Sequence, residues 1–160
     1  MERQFKKLNN HEKINLLDYV KDYIKAHPEV ELLIGTDSQN HRRNTTYAIV
    51  IALYRPGKGA HALYCRWDEQ RYVYGKPGEA EKTRLLAEVG YSIEIAELLK
   101  TEINLKAKYI DIDINPDKKY ASNTALTEAL GWVRGMGYEP RWKKSERSPM
   151  ITYAADNLVK

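Results

Sequence analysis

Cysteine is almost absent: Cys65 is the only one in 160 residues. That excludes an internal disulfide and a cysteine-based zinc cluster, and it fits a reducing compartment. Long apolar runs are missing too. None approaches the ~20 residues that span a bilayer, so no membrane partner is expected. The four histidines, His11, His27, His41 and His61, are scattered. No two fall at i, i+3 or i+4, which removes the usual histidine zinc site and leaves Cys65 without a nearby base. Neither a phosphate-cradling P-loop nor a dinucleotide fingerprint occurs. There is no internal repeat, low-complexity tract or long linker. The opening segment, residues 1–7, is charged where a secretory leader would be apolar, and the expectation is a cytoplasmic protein.

What is present is the balance of a globular α/β domain, 42% apolar and 30% charged. The length fits one domain over residues 1–160, with residues 1–28 as an N-terminal helical extension. A net charge of +4 permits an anionic partner without demanding one. Arg42 and Arg43 sit together in one polar stretch. Arg141, Lys143, Lys144 and Arg147 crowd around Trp142 in another. Such groups grip phosphates and stack bases; a solvated loop with a half-buried Trp explains each stretch as well.

Helical spacing of Ile14, Leu17, Val20, Tyr23 and Ile24 predicts a helix over 10–26, with Asn9 and Glu12 as a capping pair and His27-Pro28 as its stop. Residues 31–37, 45–54 and 60–67 read as three strands of an antiparallel meander. A helix over about 79–103 follows, with Leu85, Val89, Ile93, Ala96 and Leu99 on one face. Residues 108–114 alternate, Ile110, Ile112 and Ile114 on one side and Tyr109, Asp111 and Asp113 on the other. A helix over 123–135 capped by Ser122, a strand over 138–142 and a last helix opened by Ser148-Pro149 complete the order β-β-β-α-β-α-β-α. This predicts a five-stranded mixed sheet with helices on both faces and an extra helix in front, its last strands parallel.

Most acids lie on predicted helix faces, where solvation explains them; a few do not. Asp37 closes an apolar strand, and Asp111 and Asp113 alternate on a strand whose other face is isoleucine. Carboxylates on a buried strand are costly unless a cation compensates them. An Arg or Lys partner does this; so does a hard divalent ion held by carboxylates from separate elements.

Ile34-Gly35-Thr36-Asp37-Ser38-Gln39 resembles the first-strand motif of the ribonuclease H superfamily, and the element order is similar from about residue 31 onward. Asp113-Ile114-Asn115, the segment from Gly131 to Tyr138 and Ala154-Ala155-Asp156 extend the likeness to the bacterial YkuK-type group of ribonuclease H-like proteins. The resemblance implies a ribonuclease H-like fold and four catalytic acids. These are Asp37; Glu88 on the long helix, with Glu94 as fallback; Asp113 on the fourth strand, with Asp111 as an outer ligand; and Asp156 on the last helix. Surface or capping roles remain open for Glu88, Glu94 and Asp156. Departures are the polar loop at Asn115-Pro116-Asp117-Lys118-Lys119 and the leading helix.

The activity implied is hydrolysis of nucleic-acid phosphodiesters by metal-activated water, with Mg²⁺ or Mn²⁺ as cofactor. RNA, an RNA–DNA hybrid or structured DNA would be the substrate, held by Arg42, Arg43, Arg141, Trp142, Lys143 and Lys144. The rival reading is a non-catalytic nucleic-acid-binding module with the same fold; a structural protein that binds a cation comes third. Oligomeric state and substrate preference are left open.

Overall fold

The β-branched and aromatic residues between 31 and 70 form three long antiparallel strands, β3 (Glu31–Asn40), β4 (Asn44–Arg55) and β5 (Gly59–Gln70). They belong to a computed structural model that describes residues 3–72, 75–76, 78–113, 121–142 and 150–160. Two short strands precede them, β1 (Phe5–Lys7) and β2 (Lys13–Ile14), with helix α1 (Leu16–Ala26) between β2 and β3. After β5 come α2 (Glu79–Ile103), β6 (Ala107–Ile112), α3 (Ala121–Gly135), β7 (Pro140–Trp142) and α4 (Met150–Val159).

All seven described strands join one mixed sheet in the order β2-β1-β5-β4-β3-β6-β7. β6 pairs parallel with both β3 and β7, as strands joined through helices do. The mixed α/β architecture matches the expectation, but the strand count does not. The two extra strands come from the N-terminal segment, where β1 pairs with both β2 and β5. The leading helix also starts later than its apolar spacing predicts. Asn15 Oδ1 accepts the Asp18 amide at 3.1 Å and caps α1, while Asn9 and Glu12 lie before it.

The sheet separates two apolar layers. On one face Leu32, Ile34, Ile49, Ile51, Leu53, Leu63, Ile110 and Ile112 pack with the buried sides of α1, α2 and α3. On the other, Leu33, Ala48, Val50 and Ala52 pack with Ile151, Ala155 and Val159 of α4. α4 lies close against the strands. A methyl group added at Gly35 would stand 3.0 Å from Ile151 Cγ2, so α4 would have to give by a few tenths of an ångström to admit it. The long helix ends where Asn104 takes the left-handed conformation and Leu105 N donates to Leu99 O, a common helix stop. Among the described residues no helix is long and apolar enough to cross a membrane.

Candidate active site

Strand alternation past Gly35 sends successive side chains to opposite faces. Thr36 and Ser38 turn toward α2: Thr36 Oγ1 meets Ser92 Oγ at 2.7 Å, and the Ser38 hydroxyl donates to Glu88 Oε1. Asp37 turns toward α4 and interacts with Asp156. β3 runs on to Asn40, beyond the expected end at Asp37, because Ser38, Gln39 and Asn40 keep pairing with β4. Asp37 is therefore held within a paired strand.

Ser38 joins the two sides. Its amide donates to Asp37 Oδ1 at 2.8 Å while its hydroxyl donates to Glu88. Both acids are buried, Asp37 at 7% exposure and Glu88 at 6%. Burial pushes the Asp37 carboxyl up to about 7; the charge of Asp113 adds to this, the Ser38 amide opposes it, and Asp156 raises it further. Glu88 is pushed well above the usual carboxylate range by burial and then by Asp37, against the Ser38 hydroxyl and Arg84, with Asp113 adding to the rise. Asp113 itself is exposed just past β6, and Asp156 is half-buried and paired with Lys160 at 2.7 Å. Glu88, Asp113 and Asp156, from three other stretches of chain, thus each interact with Asp37, and Asp113 with Glu88, toward the ends of β3 and β6.

Their donor chemistry is all carboxylate oxygen, which suits a hard divalent cation. Among the described residues no group of three or more His, Cys, Asp and Glu side chains has the closeness of a formed metal centre. Gathering them around one ion requires side-chain rotation, for which exposed Asp113 and half-buried Asp156 have room.

Two expected ligands lie elsewhere. Asp111 is held by Arg141, Nε to Oδ1 at 2.7 Å and Nη2 to Oδ2 at 2.9 Å. It also accepts from the Ile151 backbone in the first turn of α4. Its charge is thus compensated by Arg141. Glu94, the fallback for Glu88, is exposed and paired with Arg3 at 3.0 Å. The expected strand-holding groups divide likewise. Arg42 and Arg43 are exposed in the turn between β3 and β4. Arg141 is committed to Asp111 and lies over the Tyr109 ring. Trp142 is half-buried, packs against the larger core and has the Arg134 guanidinium 5.7 Å from its ring. Lys143 and Lys144 lie outside the described residues, as do Arg147, the Ser148-Pro149 cap and the loop after Asp113.

Sequence reasoning gave Ser38 no role, although a signal existed: the residue after a strand aspartate must face the opposite layer, where the long helix lies. Arg84, one turn before Glu88, was also missed.

A family model described as Ribonuclease H-like matches residues 15–160, and the chain belongs to the ribonuclease H-like family. Among solved structures it is similar to the endonuclease V of Ciona intestinalis, crystallised with a 24mer DNA containing an inosine followed by a ribo-adenosine. The TM-score is 0.36 and the identity 12%, over 61% of this chain and 44% of that one. The chain thus spans less than half of that endonuclease's length. No curated protein matches it.

Proposed function

We propose that this protein is a divalent-metal-dependent nuclease that hydrolyses phosphodiester bonds in RNA, an RNA–DNA hybrid or structured DNA. The observation that carries the reading is the approach of Glu88, Asp113 and Asp156, from three other stretches of chain, to Asp37, with Arg84 beside Glu88 and Lys160 beside Asp156. So many acids in a partly buried place cost folding energy unless they serve a cation. Family membership supports the same reading.

Asp37 and Glu88 would be the fixed ligands, oriented by the two donors of Ser38, and Asp113 and Asp156 the adaptable ones. Bound there, Mg²⁺ or Mn²⁺ supplies activation of water and stabilisation of the leaving oxygen. The carboxylates would hold the ions; β3 positions Asp37, α2 positions Glu88, and Ser38 links the two. Lys160, beside Asp156, offsets part of the negative charge as the anionic strand approaches.

A non-catalytic nucleic-acid-binding module is the second reading, favoured by the lack of a tight three-acid group among the described residues. A cleavage assay separates the two. Labelled RNA, hybrid and single-stranded DNA are incubated with Mg²⁺ or Mn²⁺ and with wild type or Asp37→Asn. Metal-dependent cleavage that Asp37→Asn abolishes supports the nuclease; binding without cleavage supports the module.

A further inference from the structure

Beyond the carboxylates, β3 runs on to a tight turn, closed by His41 N donating to Asn44 O at 2.7 Å. Arg42 and Arg43 form its exposed tip. A third arginine is tied to the same turn from the end of β5. Arg71 N donates to Arg43 O at 3.1 Å, and Arg71 Nη1 donates to His41 O at 3.2 Å. The turn is fixed from below as well, since His41 Nε2 donates to Val159 O, near the end of α4, at 3.1 Å.

Three guanidinium groups thus stand around one anchored turn, and none has an ion pair among the described residues. The nearby acids of β5 are engaged elsewhere: Asp68 accepts from Thr46 and Glu69 from Tyr91. Among the described residues Arg71 Nε is buried without a hydrogen-bond partner, in a group otherwise held in place. Like charges held together this way, with donors to spare, suit a chain of anions.

We propose that Arg42, Arg43 and Arg71 form a phosphate grip for the substrate strand, set a fixed distance from the carboxylates and reached by α4's side of the sheet. The inference rests on the nuclease reading and adds to it a reach. From Asp37 to Arg42 is five residues, at most roughly 17 Å at about 3.3 Å per strand residue. A stacked nucleic-acid strand advances about 3.4 Å per nucleotide, so the grip meets the backbone about five nucleotides from the cleaved bond. Substrates too short to span that interval gain nothing from it.

The test measures binding in chelator, so that cleavage does not enter. Fluorescently labelled RNA–DNA hybrids of 4 to 16 base pairs are titrated by anisotropy at several salt concentrations. The proteins are wild type, Arg42→Ala/Arg43→Ala and Arg71→Ala. Wild-type affinity is expected to rise as the hybrid grows past about five base pairs. The double variant is expected to lose that rise and to flatten the slope of log affinity against log salt by about 2, at ~0.9 per phosphate contact; Arg71→Ala flattens it by about 1. The exposed double substitution tests the proposal even if Arg71→Ala disturbs the turn. An unchanged slope in the double variant overturns the grip, and so does wild-type binding to acidic lipid vesicles but not to hybrid. Failure of the nuclease reading looks different: wild type and variants bind as expected, and nothing is cleaved when Mg²⁺ or Mn²⁺ is restored.

Discussion

Arg141 holds Asp111 by two parallel hydrogen bonds, and the Asp111 side chain is wholly closed to solvent. Burial raises the Asp111 carboxyl, while Arg141 and the Ile151 backbone pull the other way. The pair sits under the first turn of α4, the helix that carries Asp156. Removing one partner of such a pair strands a buried charge, at about 3–5 kcal/mol. Arg141→Ala is therefore expected to lower the melting temperature by roughly 10 °C at ~2–4 °C per kcal/mol. The double variant Arg141→Met/Asp111→Leu should recover most of that loss in a thermal-unfolding scan. A double variant no more stable than Arg141→Ala would contradict the assignment.

Asp37 carries the opposite balance, because burial and the neighbouring acids raise its carboxyl and no arginine or lysine pairs with it among the described residues. Its carboxyl is raised from the ordinary 3.8 to about 7. The folded protein therefore holds this proton more tightly than the unfolded chain. The stabilisation is fully present below about pH 4 and is lost as pH rises to about 7. At ~1.4 kcal/mol per pKa unit the loss approaches ~4 kcal/mol. Asp37→Asn should raise the melting temperature at pH 8 in chelator by several degrees and make no difference at pH 4. Equal melting curves at pH 8 would count against the crowding of charge at this position.

Ser38 tests the link between the two buried acids. Ser38→Ala keeps the amide that serves Asp37 but removes the hydroxyl that serves Glu88. Groups that orient ligands typically matter ten- to a hundred-fold in metal affinity. The expected result is a loss of that order for Mn²⁺, read by titration calorimetry, with the fold intact by circular dichroism.

Gly35 tests the seating of α4. Gly35→Ala places a methyl 3.0 Å from Ile151 Cγ2, within the layer where Val50 and Ala155 are fully buried. Overpacking of this kind costs about 1–3 kcal/mol. A lower denaturation midpoint with an unchanged denaturant slope is expected.

Much of the fold was legible because its signals are local. In α2 the residues spaced at helical intervals, Leu85, Val89, Ile93, Ala96 and Leu99, are all buried. Ile110 and Ile112 face one layer while Asp111 faces the other, as period-two alternation requires. The N-terminal strands were not legible. β1 and β2 are three and two residues long and contain Lys6, Lys7 and Lys13, too short and too polar for alternation to register. Their pairing is set by the neighbouring β5, which no local pattern encodes. The same holds at the site. Acid positions could be read from the chain, but whether Asp111 would meet an ion or Arg141 depended on how β7 lies beside β6. Pairing of Asp111 with Arg141 across that ladder is a long-range fact.

The most direct measurement is Mn²⁺ binding to the wild-type protein and to Asp37→Asn and Glu88→Gln, followed by electron paramagnetic resonance at pH 8. Wild type should take up the ion, and each substitution should weaken uptake at least tenfold while leaving the protein folded. Equal uptake by all three, or none by the wild type, would contradict the account of these carboxylates as ligands for a divalent ion.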